Sequence, residues 1–328
     1  MKHRKLGNTT VDLPSIGLGC MGLSEFYGPA TERATAISLL HQAIEMGVKH
    51  FDTAELYGVG STNEILLGEA FHDRRDQAFI ATKFGPVRNP VTGELTGLDG
   101  SRENCRRAIE GSLSRLKTDF VDLYYLHRVD PITPIEETVS AMAELVTEGR
   151  VGAIGLSEAS GDTIRRAAKI HPIAAVQSEY SIFTRDIEES VIPACQEVGA
   201  TLVAYSPLGR GMLSGRFKNE SLGEEDFRVT TPRFQGDAYQ ANVALVDEIE
   251  AIAKARSCKA AQVALAWVLG RGEHVMAIPG TTKLENLTTN LGAYDIELSQ
   301  QEQTILDQLA DRVMGNRYDE RGMTIING

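Results

Sequence analysis

Several things are scarce in this 328-residue sequence, and each scarcity removes a class of protein. No stretch approaches the ~18 consecutive apolar residues that a membrane-spanning helix needs. The opening MKHRKLGNTTVDLP carries charge but no apolar core, so it is not expected to act as a secretory signal. Cysteine occurs four times, at Cys20, Cys105, Cys195 and Cys258, far apart and never as CxxC, which argues against a zinc ribbon or a redox dithiol. Unpaired thiols suit a reducing cytoplasm, so a cytoplasmic location is expected. Lys plus Arg number 33 against 45 Asp plus Glu, a formal charge of −12, and no basic stripe interrupts the balance. A nucleic-acid partner is therefore not expected, because phosphate backbones demand clustered cations. There is no low-complexity run and no linker.

What is present is an ordinary globular balance, 42% hydrophobic and 24% charged, which argues against disorder, collagen and coiled coil. Apolar runs at residues 15–19, 48–53, 78–84, 120–127, 151–157, 173–178, 201–206 and 274–279 alternate with segments of helical periodicity. In residues 33–46, Ile37, Leu40 and Ile44 mark one such apolar stripe. Gly47, Gly149 and Gly199 sit where a helix gives way to a strand. Eight strand–helix units predict a closed parallel (β/α)8 TIM barrel, a single domain spanning 1–328. An open dinucleotide-binding sheet is the alternative. It is disfavoured because Gly17–Gly22 (GLGCMG) fails the GxGxxG spacing and no ribose-binding acid follows a second strand. Residues 3–13 read as an N-terminal β-hairpin turning at Gly7-Asn8, placed to plug the barrel floor. Residues 209–235 read as a long polar loop, and 300–314 as an extra C-terminal helix before an irregular tail.

Barrel chemistry sits where strands end. Those ends carry Asp52, Lys83, His127, Ser157, Gln177 and Ser206, with Tyr57 just beyond Asp52. Polar groups closing apolar runs are costly to bury unless they pair, so their convergence on one mouth predicts an active site. Tyr57 is a candidate proton donor, Lys83 is expected to lower its pKa, and Asp52 to orient Lys83. His127 can donate to a carbonyl oxygen. Such a set suits protonation of a developing oxyanion, the need of carbonyl reduction, with the hydride coming from a nicotinamide cofactor. Two other readings stay open. One is a nucleotide-sensing regulatory subunit, and the other a lyase using Lys83 as a Schiff-base amine.

The segments FDTAELYG (51–58), ATKFG (81–85), LHRVDP (126–131), GLSEAS (155–160), AYSPLGRG (204–211) and IPGTT (278–282) carry a resemblance that runs over nearly the whole chain. The sequence resembles the aldo-keto reductases, and among them the branch near the potassium-channel β-subunits. The resemblance implies a catalytic tetrad of Asp52, Tyr57, Lys83 and His127, with Tyr57 as general acid and His127 orienting the substrate carbonyl. It implies NADPH binding, in preference to NADH, and a small-molecule aldehyde or ketone substrate. Gly19 and Met21 would border the cofactor. Ser157 and Gln177 would meet the carboxamide, and Tyr205 would stack on the nicotinamide. Ser206, Pro207, Leu208, Gly209, Arg210 and Gly211 would hold the pyrophosphate. Gly280, Thr281, Thr282 and Lys283 would meet the 2′-phosphate, with Glu285, Asn286 and Asn290 nearer the adenine. Many relatives have Asn where this chain has Glu158, Lys at Gly280 and Arg at Asn286. Lys283 is therefore the remaining cation for the 2′-phosphate.

Phe26 and Tyr27 are expected to wall the substrate pocket, alongside loops 26–29, 84–100 and 209–235 and Val129. Trp267 reads as core and Cys20 as a small buried residue, Arg128 and Asp130 as a structural pair, and Glu224-Glu225-Asp226 as a solvated loop. The remaining histidines show no metal spacing. Oligomeric state is not legible.

Overall fold

The computed structural model describes residues 1–89, 92–223 and 226–326. An antiparallel hairpin, β1 (His3–Lys5) and β2 (Asp12–Pro14), leads into β3 (Leu18–Gly19), β4 (His50–Asp52) and β5 (Phe79–Phe84). A second hairpin follows, β6 (Pro86–Arg88) and β7 (Leu95–Leu98), then β8 (Val121–Leu126), β9 (Val151–Ser157), β10 (Ala175–Glu179), β11 (Thr201–Tyr205) and β12 (Val275–Ala277). Apart from the two hairpins, eight parallel strands lie in the order β3-β4-β5-β8-β9-β10-β11-β12. The Gly17 N–H donates to the Ala277 carbonyl (2.8 Å) and the Ala277 N–H to the Ser15 carbonyl (2.9 Å), so the last strand meets the first and the barrel closes. All eight expected strand segments are found, and the fold is the (β/α)8 barrel.

Crossover helices return the chain between strands. They are α1 (Arg33–Glu45), α2 (Thr62–Phe71), α3 (Arg102–Leu116), α4 (Ile135–Thr147), α5 (Gly161–Ala168), α6 (Val191–Val198), the pair α7 (Gly236–Ala255) and α8 (Ala260–Leu269), and α9 (Leu284–Leu291). Helix starts are set locally. Ser101 ahead of α3 and Ser160 ahead of α5 each accept an N–H of the first turn, a cap worth about 1 kcal/mol. At Gly199, φ is +72°, and its N–H returns to the Cys195 and Gln196 carbonyls, closing α6 before β11.

The strands alternate strictly. In β5, Ile80 and Phe84 pack against the helices and Thr82 donates to Glu64 of α2. Phe79, Ala81 and Lys83 point inward. The inner core joins Phe79, Ala81, Leu123, Tyr125, Ala153, Ala175, Val203 and Met276 to Leu6 and Leu13 of the hairpin. The hairpin thus plugs the N-terminal face as expected. Gly7 (φ +54°) lies so close to Ala174 that any Cβ would meet its carbonyl at 2.6 Å. Trp267 is core, with its indole N–H donated to Asp307 at 2.8 Å.

Three expectations need correction. Loop 84–100 contains the β6–β7 hairpin, with Pro90 and Val91 outside the described residues. Loop 209–235 is organised by four short 3-10 turns, with Glu224 and Glu225 outside the described residues. Asp226 is not solvated: it is buried and paired with Arg228 at 2.5 Å. Beyond the expected helix α10 (Gln300–Asp307), the tail forms α11 (Glu320–Met323) instead of staying irregular. No described helix is long and apolar enough to cross a membrane.

Candidate active site

Strand parity builds the site. Asp52 is two residues on from inward-facing His50, Lys83 from Ala81, His127 from Tyr125, Ser157 from Gly155, Gln177 from Ala175 and Tyr205 from Val203. All therefore reach the C-terminal mouth of the barrel. The Lys83 Nζ donates to Asp52 Oδ1 (2.5 Å), to the Thr53 carbonyl (2.8 Å) and to Tyr57 Oη (3.3 Å). Its three hydrogens thus have three acceptors. Gln177 Nε2 donates to Asp52 Oδ2 at 2.7 Å, so both carboxylate oxygens are engaged. The His127 ring meets the Tyr57 ring edge-on with centroids 5.6 Å apart, and its buried Nδ1 has no hydrogen-bond partner. The structure brings all four residues of the expected tetrad together, and each is buried.

The electrostatics differ from the sequence expectation at Tyr57. Burial, and then the Asp52 charge, push its phenol well above the usual 10. Lys83 does not bring it below that value, because burial dominates and Asp52 against the ammonium offsets part of its field, although Lys83 still donates to the phenol oxygen. Lys83 itself is pulled below its usual value by burial, against the opposing pull of Asp52. Burial, with the Arg128 and Lys83 charges, holds His127 well below 6.5. At neutral pH the pocket presents a protonated phenol and a neutral imidazole.

Ser157 accepts from Arg128 (3.3 Å), and Arg128 also donates to the His127 carbonyl (2.7 Å). The expected Arg128–Asp130 pair does not form. Asp130 instead organises its own loop, accepting the Gly100 and Ile132 N–H groups and the Thr133 hydroxyl. Cys20 is fully buried behind the site and its thiol is pushed up by burial.

Glu158 adopts φ +53° and is locked by the tail: Arg317 grips it with two hydrogen bonds of 3.0 and 2.9 Å. This pair was invisible in the sequence, as was the next residue. The Tyr318 hydroxyl lies 2.9 Å from that of Tyr205, and Arg210 sits 4.3 Å from the Tyr318 ring centre. Arg210 is turned inward, donating to Glu179 (3.0 Å), while its Nη1 is buried without a partner. Burial alone would raise Glu179, but Arg210, Arg317 and Arg233 outweigh it and hold its carboxyl below the usual range.

The other cofactor candidates also fall on this side of the mouth. A Cβ on Gly19 would meet the Ile278 carbonyl at 2.8 Å, and one on Gly280 would press the Gly19 carbonyl at 3.1 Å. Ser206, Gly209, Arg210 and Gly211 all have positive φ, a strained turn of the kind that gathers at ligand sites. Pro207 and Leu208 lie within the same turn, and Met21 is partly buried beside Cys20. Thr282, Lys283, Glu285 and Asn286 are exposed around the start of α9, whereas Asn290 is buried with its Nδ2 unpartnered. Thr281 accepts the Lys283 N–H at 3.0 Å. An orphaned buried donor within the strained turn, Arg210 Nη1, and a second on α9, Asn290 Nδ2, fit the polar demands of a nucleotide. Phe26 and Tyr27 are tied to loop 209–235, Phe26 by a backbone bond from Phe227 (2.9 Å) and Tyr27 by Arg228, 4.6 Å from its ring centre. No cluster of three or more metal-ligating side chains occurs among the described residues.

A closed parallel barrel with Asp, Tyr, Lys and His converging on its C-terminal mouth defines an oxidoreductase of the aldo-keto reductase class. The Aldo/keto reductase family profile matches residues 15–311, and the chain belongs to that family. It is 45% identical over 299 residues to "Probable aldo-keto reductase 1" of Glycine max, covering 91% of this chain and 86% of that protein. Among solved structures it is similar to a thermostable aldo-keto reductase, Tm1743, in complex with the inhibitor epalrestat. That likeness has 36% identity and TM-score 0.76, over 94% of this chain and all of that one. It is also similar to the glycerol dehydrogenase AKR11B4 from Gluconobacter oxydans, with 26% identity and TM-score 0.86, over 97% and 98% of the two chains. The protein is thus an NAD(P)H-dependent oxidoreductase of a family that reduces carbonyl groups.

Proposed function

We propose that this chain, a single barrel domain, reduces small aldehydes or ketones to alcohols, reversibly and with NADPH preferred over NADH. The observation that carries the reading is the bonded chain Gln177–Asp52–Lys83–Tyr57 beside a neutral His127. His127 donates a hydrogen bond to the substrate oxygen and fixes the carbonyl against Tyr57. Tyr57 gives its proton to that oxygen as negative charge develops, and Lys83 then stabilises the phenolate left behind. Asp52 keeps the ammonium in place and charged, and Gln177 fixes the carboxylate. Burial excludes water that would compete for the proton. The bound nicotinamide supplies the hydride.

Ser157, Gln177, Tyr205, the 206–211 turn and the 280–290 segment would hold that cofactor. Lys283 and the Thr281 and Thr282 hydroxyls would receive a 2′-phosphate, which supports NADPH. The lyase alternative finds no support, since Lys83 is fully buried and all its hydrogens are engaged. Four free cysteines accord with a cytoplasmic setting. The test is to follow nicotinamide absorbance after adding 4-nitrobenzaldehyde with either cofactor. Faster oxidation of NADPH is expected. Cofactor binding without oxidation of either nucleotide overturns the proposal.

A further inference from the structure

The mouth is ringed by cations, and nearly all of them have a carboxylate. Lys83 is paired with Asp52, Arg317 with Glu158 and Asp186, Arg210 with Glu179, and Arg228 with Asp226. Arg233 lies 3.9 Å from Glu179. Arg128 is the exception. It is partly buried, and among the described residues it forms no ion pair. Its two acceptors, the His127 carbonyl and the Ser157 hydroxyl, are both neutral. Yet it stands among the reacting groups, close enough that its charge acts on both Tyr57 and His127. In a protein with a net charge of −12, one guanidinium in the mouth with no carboxylate in contact is not a general basic surface. It is a local feature, felt by Glu158 only at a distance, with room in its donors for a carboxylate in direct contact. The planar fork of arginine matches a carboxylate at two points, which lysine cannot do.

We infer that Arg128 is a specificity-determining residue that binds a carboxylate carried by the carbonyl substrate. This rests on the reductase reading above and deepens it, because it names oxo acids, aldehydes or ketones bearing a carboxylate, as the favoured class. Two contacts already fix the guanidinium through Nη1, so the remaining N–H groups can meet the anion without a large loss of side-chain entropy. The amide oxygen of a nicotinamide near Ser157 could draw on the same donors, so cofactor affinity must be measured alongside.

The test compares 4-carboxybenzaldehyde with its methyl ester, and 4-oxobutanoate with its methyl ester, in the full chain with NADPH. The acid-to-ester ratio of kcat/KM cancels any general loss of activity. The ratio is expected to exceed one in the parent, to fall at least tenfold in Arg128→Gln, and to be partly kept in Arg128→Lys. Benzoate binding to the NADPH complex, followed by fluorescence, should weaken at least tenfold in Arg128→Gln, and this readout needs no turnover. An unchanged ratio in both pairs, or a loss confined to NADPH affinity, overturns the inference. Failure of the parent to turn over any of the four, with benzoate binding still dependent on Arg128, would sink the reductase reading and leave the anion site standing.

Discussion

Replacing Arg317 with Met removes the charge that Glu158 is folded around. The Glu158 side chain is fully buried, and Arg317 supplies both of its guanidinium contacts. One backbone N–H, from Glu179, also reaches Glu158 and would remain. Stripping one partner from a buried ion pair costs about 3–5 kcal/mol, because a desolvated charge is left behind. A chain of 328 residues loses roughly 1.5 °C of Tm per kcal/mol, so a fall of about 4–7 °C is expected by differential scanning fluorimetry. The tail has other anchors: Asn242 bonds both the N–H and carbonyl of Met314, and Arg233 donates to the Gly315 carbonyl. Cleavage by a protease should therefore increase after residue 315 more than before it. Glu158→Gln alone should also destabilise, by leaving the buried Arg317 with only the half-exposed Asp186 as a charged partner. The double variant Glu158→Gln/Arg317→Met should recover most of the loss, since no charge is then stranded. Single variants that melt within 1 °C of the parent, or effects that simply add in the double variant, would refute the reasoning.

Three further outcomes are expected. His50 is fully buried with neither ring nitrogen partnered, and burial holds its pKa down to about 4. Its folded value lies below its unfolded one near 6.5, so the unfolded chain takes up the proton first. Stability is intact above pH ~6.5 and falls by roughly 3 kcal/mol on going down to pH 4. His50→Leu should flatten the urea midpoint across that window, and an equally steep fall in the variant would contradict the assignment. Lys83→Met strands the Asp52 carboxylate with Gln177 alone, so kcat for carbonyl reduction should drop about 10²- to 10⁴-fold. Retention of more than a tenth of kcat would show that Tyr57 does not depend on Lys83. Lys283→Met should lower the NADPH-to-NADH ratio of kcat/KM about tenfold, as expected for one lost charged contact. A constant ratio would place the 2′-phosphate elsewhere.

The barrel and the strand-end residues Asp52, Lys83 and His127 were legible from period-2 alternation, whereas Tyr57 stands in the loop beyond β4 and was read from its nearness to Asp52 and from the FDTAELYG segment. Ala81 and Lys83, or Ala175 and Gln177, sit on one inward face, and an apolar run ending in a polar residue shows where the mouth lies. The 3–13 hairpin was legible from its Gly7-Asn8 turn, and the structure adds that Leu6 and Leu13 seat it in the inner core. The 86–98 hairpin was not, because its strands are short and much of β7 is exposed, so little apolar alternation survives. Pairing across the fold carries no local signal. Glu158 and Arg317 are 159 positions apart, and nothing near either announces the other. Arg128 and Asp130 misled through proximity, since Asp130 was already committed to its own turn. The Tyr57 pKa was misjudged for a related reason. Lys83 was counted as a free charge, whereas Asp52 at 2.5 Å offsets part of its field and burial then decides.

The most direct test of the account is Tyr57→Phe, with NADPH affinity measured by fluorescence titration and single-turnover reduction of 4-nitrobenzaldehyde measured on the same protein. The phenol is the proton donor in this account, and Tyr57→Phe removes the hydroxyl that accepts from Lys83 while keeping the ring 4.9 Å from its ammonium. NADPH affinity within about threefold of the parent, with reduction slowed 10²- to 10⁴-fold, is the predicted result. Reduction at near-parental rate by the folded, NADPH-bound variant would contradict it.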